Sequence, residues 1–198
     1  MADEVQEDIM DSINREKIDV FHYAPQILSS FNPGVLLSTA AECETDSMTI
    51  GWGMIGVAWG KPIFITYVRL NRHTHTILAK NGEFTVNAPL AGLDDEANDR
   101  VRRIVVGCGR TSGRDIDKAA RFGLTHVAGL DVTVPAIAEL PLTLECKVIY
   151  ERDQDISLLP DELRAKNYPP QVPGSALGAN SDLHTEYYGE IVNAYIIR

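Results

Sequence analysis

Apolar positions along this chain recur in short runs with the two-residue period of strands, broken by clusters of Gly, Pro, Asn and Asp. Gly34 to Ala40 reads as a strand, and Glu42 to Ser47 as the polar turn after it. Met48 to Trp59 carries Gly51, Gly53 and Gly56, a load that disfavours a helix and predicts one or two strands with a bulge or a close backbone approach. Pro62 opens a β-branched and aromatic run from Ile63 to Val68. Thr74 to Lys80 predicts a short helix stopped by Asn81-Gly82, and Glu83 to Asn87 a strand before Pro89. Asp94 to Val106 predicts a helix with acids in its first turn and arginines later, the order that the helix dipole favours. Gly107 to Gly113 reads as a glycine-rich loop, and Asp115 to Phe122 as a short helix ended by Gly123. Leu142 to Tyr150 alternates strictly, with Leu142, Leu144, Cys146, Val148 and Tyr150 on one side and Thr143, Glu145 and Lys147 on the other, so a strand with one wet face is expected. Tyr187 to Ile197 is the last long strand. Between these two, Lys166 to Ser181, with Pro169-Pro170, Pro173-Gly174, Gly178 and Asn180, reads as a long surface loop or mobile insertion. Many short strands, few helices and no regular alternation of the two point to a β-barrel or mixed α+β domain and away from a doubly wound sheet.

The 198 residues suit one domain. Charge then divides the chain. The net charge is −10, and half of it sits in the first twenty residues, where seven acids face two bases. Residues 1–24 therefore read as an acidic extension to a domain over 25–198. Ser47 to Gly82 holds no Asp or Glu but carries Lys61, Arg69, Arg72 and Lys80. Arg100 to Phe122 holds seven cations and two acids. Acid-poor buried strands are ordinary; the retained cations point further, to a pocket for a small anion such as a nucleotide phosphate. A partly buried sheet beside a solvated basic helix is the other reading. The acidic balance argues against nucleic acid and anionic membranes as partners. Three widely spaced cysteines, Cys43, Cys108 and Cys146, argue against a disulfide framework and a zinc site. No apolar run approaches the roughly 20 residues of a membrane span, and the acidic start is unlike a signal peptide, so a cytoplasmic protein is expected.

Some apparent motifs fail in context. Gly51-Trp52-Gly53-Met54-Ile55-Gly56 matches the dinucleotide pattern G-x-G-x-x-G, but Val57 to Pro62 cannot make the required helix, and no acid follows before Glu83. His73 and His75 lack a nearby carboxylate or cysteine in sequence to complete a metal set and read as hydrogen-bonding histidines at a helix start; no metal is expected. Cys108 lies in the basic glycine-rich stretch, where a lowered pKa is one reading and an inert thiol the default. What holds is a combination. Ser47-Met48-Thr49-Ile50-Gly51-Trp52 sets hydroxyls and an indole on strand-like backbone, and Arg69-Leu70-Asn71-Arg72-His73-Thr74 sets two guanidiniums, an amide and a hydroxyl at a helix start, where free N–H groups attract phosphate.

These segments occur in order with Trp59-Gly60-Lys61-Pro62, Gly82-Glu83-Phe84-Thr85-Val86-Asn87, Ser112-Gly113-Arg114-Asp115-Ile116-Asp117-Lys118, Leu144-Glu145-Cys146-Lys147-Val148 and Tyr188-Gly189-Glu190-Ile191-Val192. From about Gln26 onward the chain resembles the flavin reductase-like FMN-binding split barrels, the flavoredoxin group. The resemblance implies a mainly β fold with flanking helices, a six-stranded split barrel, and a homodimer holding FMN noncovalently near the subunit interface. It implies that Ser47, Met48, Thr49, Ile50, Gly51 and Trp52 line the flavin, and that Thr66, Arg69, Asn71, Arg72, His73 and Thr74 hold its ribityl chain and phosphate. Ser112, Gly113 and Lys118 would approach from the second basic window, with Lys118 as a cation beside the reduced cofactor, and His184 would stand near the ring. The chain stops at Arg198, where relatives commonly continue through a tail, and the loop at 166–181 is long for the family.

The expected activity is that of an oxidoreductase carrying electrons from NADH or NADPH through FMN to flavin, a metal complex or a redox protein. The alternatives are an FMN electron carrier with no direct NAD(P)H turnover, and a binding module without turnover.

Overall fold

The structure, a computed structural model, describes residues 13–198; the acids Asp3, Glu4, Glu7, Asp8 and Asp11 lie outside the described residues. In chain order the elements are β1 (Arg15–Lys17), α1 (Val20–Ser29), β2 (Val35–Ala41), β3 (Glu44–Ile50), β4 (Gly53–Ala58), β5 (Lys61–Arg69), α2 (His73–Asn81), β6 (Glu83–Ala88), α3 (Asp95–Arg110), α4 (Lys118–Phe122), β7 (His126–Val127), β8 (Ala136–Ile137), β9 (Leu142–Asp153), α5 (Asp161–Asn167) and β10 (His184–Ile197).

Seven strands pair antiparallel in the order β3-β2-β6-β9-β10-β5-β4. The outermost two are consecutive in sequence, joined only by Gly51 and Trp52. A flat sheet would set them about 29 Å apart, at 4.8 Å per strand, whereas three peptide units reach at most about 11 Å. The sheet must therefore roll until β3 and β4 meet. They meet without pairing, so the barrel is split along one seam. The sheet holds more than the expected six strands, one of them β1, which takes the edge of β10 beyond the reach of β5 by pairing Arg15 to Lys17 with Tyr195 to Ile197.

The inside of the roll is the core: Leu37, Ile50, Phe64, Val68, Phe84, Leu144, Tyr187 and Ile191, closed at one end by Ile27 of α1. Full burial of Ile27 contributes about 1.5 to 3 kcal/mol. Residues 15–24, grouped by charge with the acidic extension, include β1 and the start of α1, whose Val20 joins this core. Helix α1 was not visible in the sequence because Pro25 sits inside it; Asp19 caps it by accepting from Phe21 N–H at 2.9 Å.

Several expected boundaries shift. The turn expected over Glu42 to Ser47 shrinks to Glu42-Cys43, and β3 begins at Glu44. The stretch expected as a glycine-rich loop from Gly107 begins inside α3, which runs on to Arg110. A side chain at Gly107 would place its Cβ 2.3 Å from the Phe122 ring, so glycine there serves helix contact and not looping. The wet face expected for β9 is dry in its first half: Thr143 and Glu145 are fully buried under the segment that carries β7 and β8. Glu145 accepts from the backbone N–H groups of Leu130 and Asp131, each at 2.7 Å, and from the Tyr195 hydroxyl at 2.8 Å.

Glu145→Ala should therefore cost about 3 kcal/mol, because it strands buried donors. Lys147→Ala, on the exposed part of the same face, should change stability by less than about 0.5 kcal/mol. Urea denaturation of both variants checks the contrast.

Candidate functional site

Two cavities lie along the seam. One, of about 410 Å³, is lined by β3 (Asp46, Met48, Thr49), by Asn71 to Thr74 at the start of α2, and by Thr111 to Asp115. Cys108, Gly109, Lys118 and Gly174 to Ala176 complete it. The other, of about 240 Å³, is lined by Met48 to Trp52, Tyr67, Arg69, Arg72, Asn167, Gly178, Ala179 and His184. Met48, Thr49 and Arg72 border both, so the two cavities adjoin along β3.

The first cavity gathers hydrogen-bond donors and cations of the kind that suit an anion. Helix α2 begins at Arg72 with no side-chain cap and no acid in its first turn; the His75 N–H donates back to the Arg72 carbonyl at 3.1 Å, and the N–H groups of His73 and Thr74 are left without partners among the described residues. His73 Nδ1 is buried beside them with no hydrogen-bond partner. Arg72 makes no ion pair among the described residues, and the Arg114 guanidinium reaches in to the Asn71 carbonyl at 2.9 Å. Below this rim lies a buried pair. Lys118 Nζ donates to the Ser47 carbonyl at 2.8 Å and stands 2.9 Å from Asp46 Oδ1, while Asp46 Oδ2 accepts from the Thr74 hydroxyl at 2.7 Å. A Cβ on Gly113 would fall 2.4 Å from that carboxylate, so only glycine lets the 111–117 loop close over Asp46.

The second cavity is aromatic. Trp52 and His184 lie with centroids 4.9 Å apart, and Trp52 meets Tyr67 edge-on at 6.0 Å. His184, the first residue of β10, is 6% exposed. Burial, then the charges of Arg69 and Arg72, push its pKa down to about 3. Arg69 is committed elsewhere: its guanidinium donates to Asn180 Oδ1 at 2.7 Å and to the Asp182 carbonyl, and lies over the Tyr168 ring at 5.7 Å. Asp182 in turn accepts from Asn71 N–H at 3.0 Å. The stretch expected as a surface loop at 166–181 is largely exposed between 170 and 179, as expected, but is tied down at its two ends. Tyr168 and Asn180 are buried in it, Asp182 is buried just beyond it, and Asn167 belongs to α5.

Of the residues singled out in the sequence, Asn71, Arg72, His73, Thr74, Ser112, Gly113 and Lys118 come together in the first cavity. Met48, Thr49, Ile50, Gly51, Trp52, Arg69 and His184 come together in the second. Two stand apart. Thr66 is buried on the inner side of β5 and borders neither cavity; Ser47 is buried against Ser38, hydroxyl to hydroxyl at 2.7 Å, and only its carbonyl touches the site. Lys118 borders the first cavity and not the second, and Asp46 already meets its charge, so the cations beside the aromatic cavity are Arg69 and Arg72. His73 and His75 diverge. The first meets Glu44 at 3.0 Å and the second Thr185 at 2.9 Å, as hydrogen-bonding histidines do. Among the described residues no group of three or more His, Cys, Asp or Glu is arranged for a metal. The lowered pKa considered for Cys108 is overturned: burial pushes its thiol up to about 11 despite Lys118. Asp46, Arg114, Tyr67 and Tyr168 were missed, since each acts through partners distant in the chain.

A split barrel with an anion cradle and an aromatic slot along its seam is the class that fold and site define. Residues 28–198 match the model of the Flavin reductase like domain, and the chain belongs to that family. It is 29% identical over 104 residues, 52% of its length, to an uncharacterized protein of Archaeoglobus fulgidus, and spans about half, 54%, of that relative. In fold it is similar to the flavoredoxin of Desulfovibrio vulgaris (Miyazaki F), with a TM-score of 0.58 at 21% identity over 82% of this chain and 68% of that one. It is also similar to an FMN-binding domain of flavin reductases-like enzyme from Shewanella baltica, with a TM-score of 0.59 at 14% identity over 93% and 78%.

Two outcomes follow. Lys118→Met should cost about 3 kcal/mol by stranding Asp46, and adding Asp46→Asn should recover part of that loss; additive effects in urea denaturation would show the two groups to be uncoupled. At pH 8 roughly a thousandth of Cys108 is thiolate, so iodoacetamide should label exposed Cys43 and leave buried Cys108 and Cys146 unmodified until the protein is unfolded.

Proposed function

We propose that this chain binds FMN noncovalently and works as an oxidoreductase of the flavin reductase type. In this reading NADH or NADPH supplies the electrons, and flavin, a metal complex or a redox protein receives them. The observation that carries the proposal is the pair of adjoining cavities bridged by Met48, Thr49 and Arg72. An anion cradle opens directly onto an aromatic slot, the arrangement that a phosphate on a ribityl tether to a flat ring requires. The donor set fits the group: the N–H groups of His73 and Thr74 at the start of α2, the unpartnered His73 Nδ1, and Arg72, whose guanidinium lines both cavities and can make charge-assisted bonds to a phosphate.

Bound there, FMN supplies the two-electron chemistry. The chain's own residues do the rest. Met48 to Trp52 present an unpaired strand edge and an indole for the ring to lie against. Arg69 and Arg72 keep positive charge beside the slot, favouring negative charge on whatever lies in it. The segment at 168–183 borders the slot through Gly178 and Ala179. That segment also favours a second reading, an electron carrier, because Arg69 and Asp182 tie it beside the slot, where it would narrow the approach of a nicotinamide.

We also propose a homodimer. Val57, Trp59, Met54 and Tyr150 expose between 44% and 67% of their surface, and Trp59, Tyr150 and Tyr188 form one aromatic cluster on the outer side of the sheet that carries the slot. Three free thiols suit the reducing cytoplasm, and no helix among the described residues is long and apolar enough to cross a membrane.

Arg72→Ala should weaken FMN by about one to two decades while riboflavin, which lacks the phosphate, changes little. Equal losses for both ligands in fluorescence titrations would sink the phosphate assignment. Arg69→Ala should instead weaken both ligands alike, since it frees the 168–183 segment. Under anaerobic conditions NADH or NADPH should bleach the bound flavin within seconds; bleaching by dithionite alone would select the carrier.

A further inference from the structure

The segment between β9 and β10 also bears on the chemistry of His184. Gln154 directly follows β9, and its backbone N–H donates to the His184 carbonyl at 2.9 Å. Tyr168 ends α5, with its backbone N–H on the Arg164 carbonyl at 2.8 Å. These ties align three side chains. The Tyr168 hydroxyl donates to Gln154 Oε1, and its oxygen lies 2.8 Å from His184 Nδ1. A hydroxyl has one proton. With that proton on Gln154, the oxygen can only accept, so the proton of the imidazole stands on Nδ1. Arg69, the cation over the Tyr168 ring, has no lone pair to compete for the hydroxyl proton. The ring is neutral, as its burial and the charges of Arg69 and Arg72 require. A neutral imidazole protonated at Nδ1 carries a free lone pair at Nε2. Nε2 has no hydrogen-bond partner among the described residues, and the ring borders the aromatic cavity beside Trp52.

The geometry points to Tyr168 and Gln154 as positioning residues that hold His184 in its Nδ1–H form, so that Nε2 accepts a hydrogen bond from an amide-type N–H of the molecule in the aromatic cavity. The identity of that donor rests on the proposed function: the carboxamide of a dihydronicotinamide and the ring imide of a flavin offer the same chemistry. A ligand group that can only accept at this position would face lone pair against lone pair and be rejected.

The tautomer is read directly, without cofactor, by nitrogen-15 NMR of histidine-labelled protein. Wild-type His184 should show a protonated Nδ1 and a bare Nε2. Gln154→Leu removes the acceptor, which turns the Tyr168 proton onto Nδ1 and moves the ring proton to Nε2. Gln154→Glu keeps an acceptor and should keep the wild-type pattern. A bare Nδ1 in the wild type, or an unchanged tautomer in a folded Gln154→Leu variant, overturns the proposal. The ligand half is tested on the same variants with FMN and NADH or NADPH. Gln154→Leu sets donor against donor and should weaken the affected ligand by about tenfold, with Gln154→Glu near wild type. A rise in the FMN Kd assigns the flavin imide; a rise in KM for the nicotinamide at constant FMN Kd assigns the carboxamide. A switched tautomer with neither value changed overturns the ligand half. Failure of the wild type to bind FMN would count against the proposed function and leave the tautomer result standing.

Discussion

Gly51 and Trp52 join two strands that hydrogen bonding places at opposite ends of the sheet, and almost everything else about the molecule depends on that short link. It forces the sheet to roll, and because β3 and β4 meet without pairing, it leaves one seam of unsatisfied strand edge. An unpaired edge normally invites another strand. Here it is bordered by the start of α2, by α3 with its 111–117 loop, and by the segment that returns to β10. Each of these brings polar backbone or side chains to the seam. The cavities are what remains between them, so the site is a consequence of how the barrel fails to close.

Charge is distributed along this seam by burial. Asp46 is the last acid before the long acid-free stretch, and the fold spends it on Lys118 and Thr74 beneath the cradle instead of leaving it at the rim. That choice neutralises one cation and keeps Arg72 and Arg114 as the positive groups lining the first cavity. Arg69 is drawn off in the other direction, into the 168–183 segment. The two arginines of one short segment thus do different work. Arg69 closes β5 and turns toward Asn180, whereas Arg72 begins a helix and faces the opening between the cavities. The same division explains the cysteines: Cys108 borders the basic cavity, yet burial outweighs the nearby ammonium and keeps it protonated.

The 168–183 segment ties the two ends of the site together. Through Asp182 it holds the backbone of Asn71 in the first cavity, and through Tyr168 it holds the imidazole of His184 in the second. A ligand that lifted this segment would disturb both at once, so the two cavities are mechanically coupled.

By itself, the sequence determined the class of the fold and the residues that crowd the seam. Strand periodicity, turn chemistry and the gap in acids between Ser47 and Gly82 are local properties, and local properties survive in one dimension. The helix expected at Thr74 to Lys80 is there because Gly82 can take the left-handed conformation that ends it. The refusal of G-x-G-x-x-G as a dinucleotide motif likewise needed only the residues that follow it, which form β4 and its hairpin. Tertiary structure decided what distance in the chain conceals. Glu145 looked wet from its alternation and is dry because residues 130 and 131 fold over it. Gly107 looked like a loop and belongs to a helix because Phe122 presses against it. Arg69 and Lys118 looked like ligand-binding cations, and their partners, Asn180 and Asp46, lie more than seventy positions away in the chain. Periodicity records which side of an element is apolar, but it carries no information about which distant segment will cover that side, and a cation's role is set by whichever acceptor the fold brings to it first.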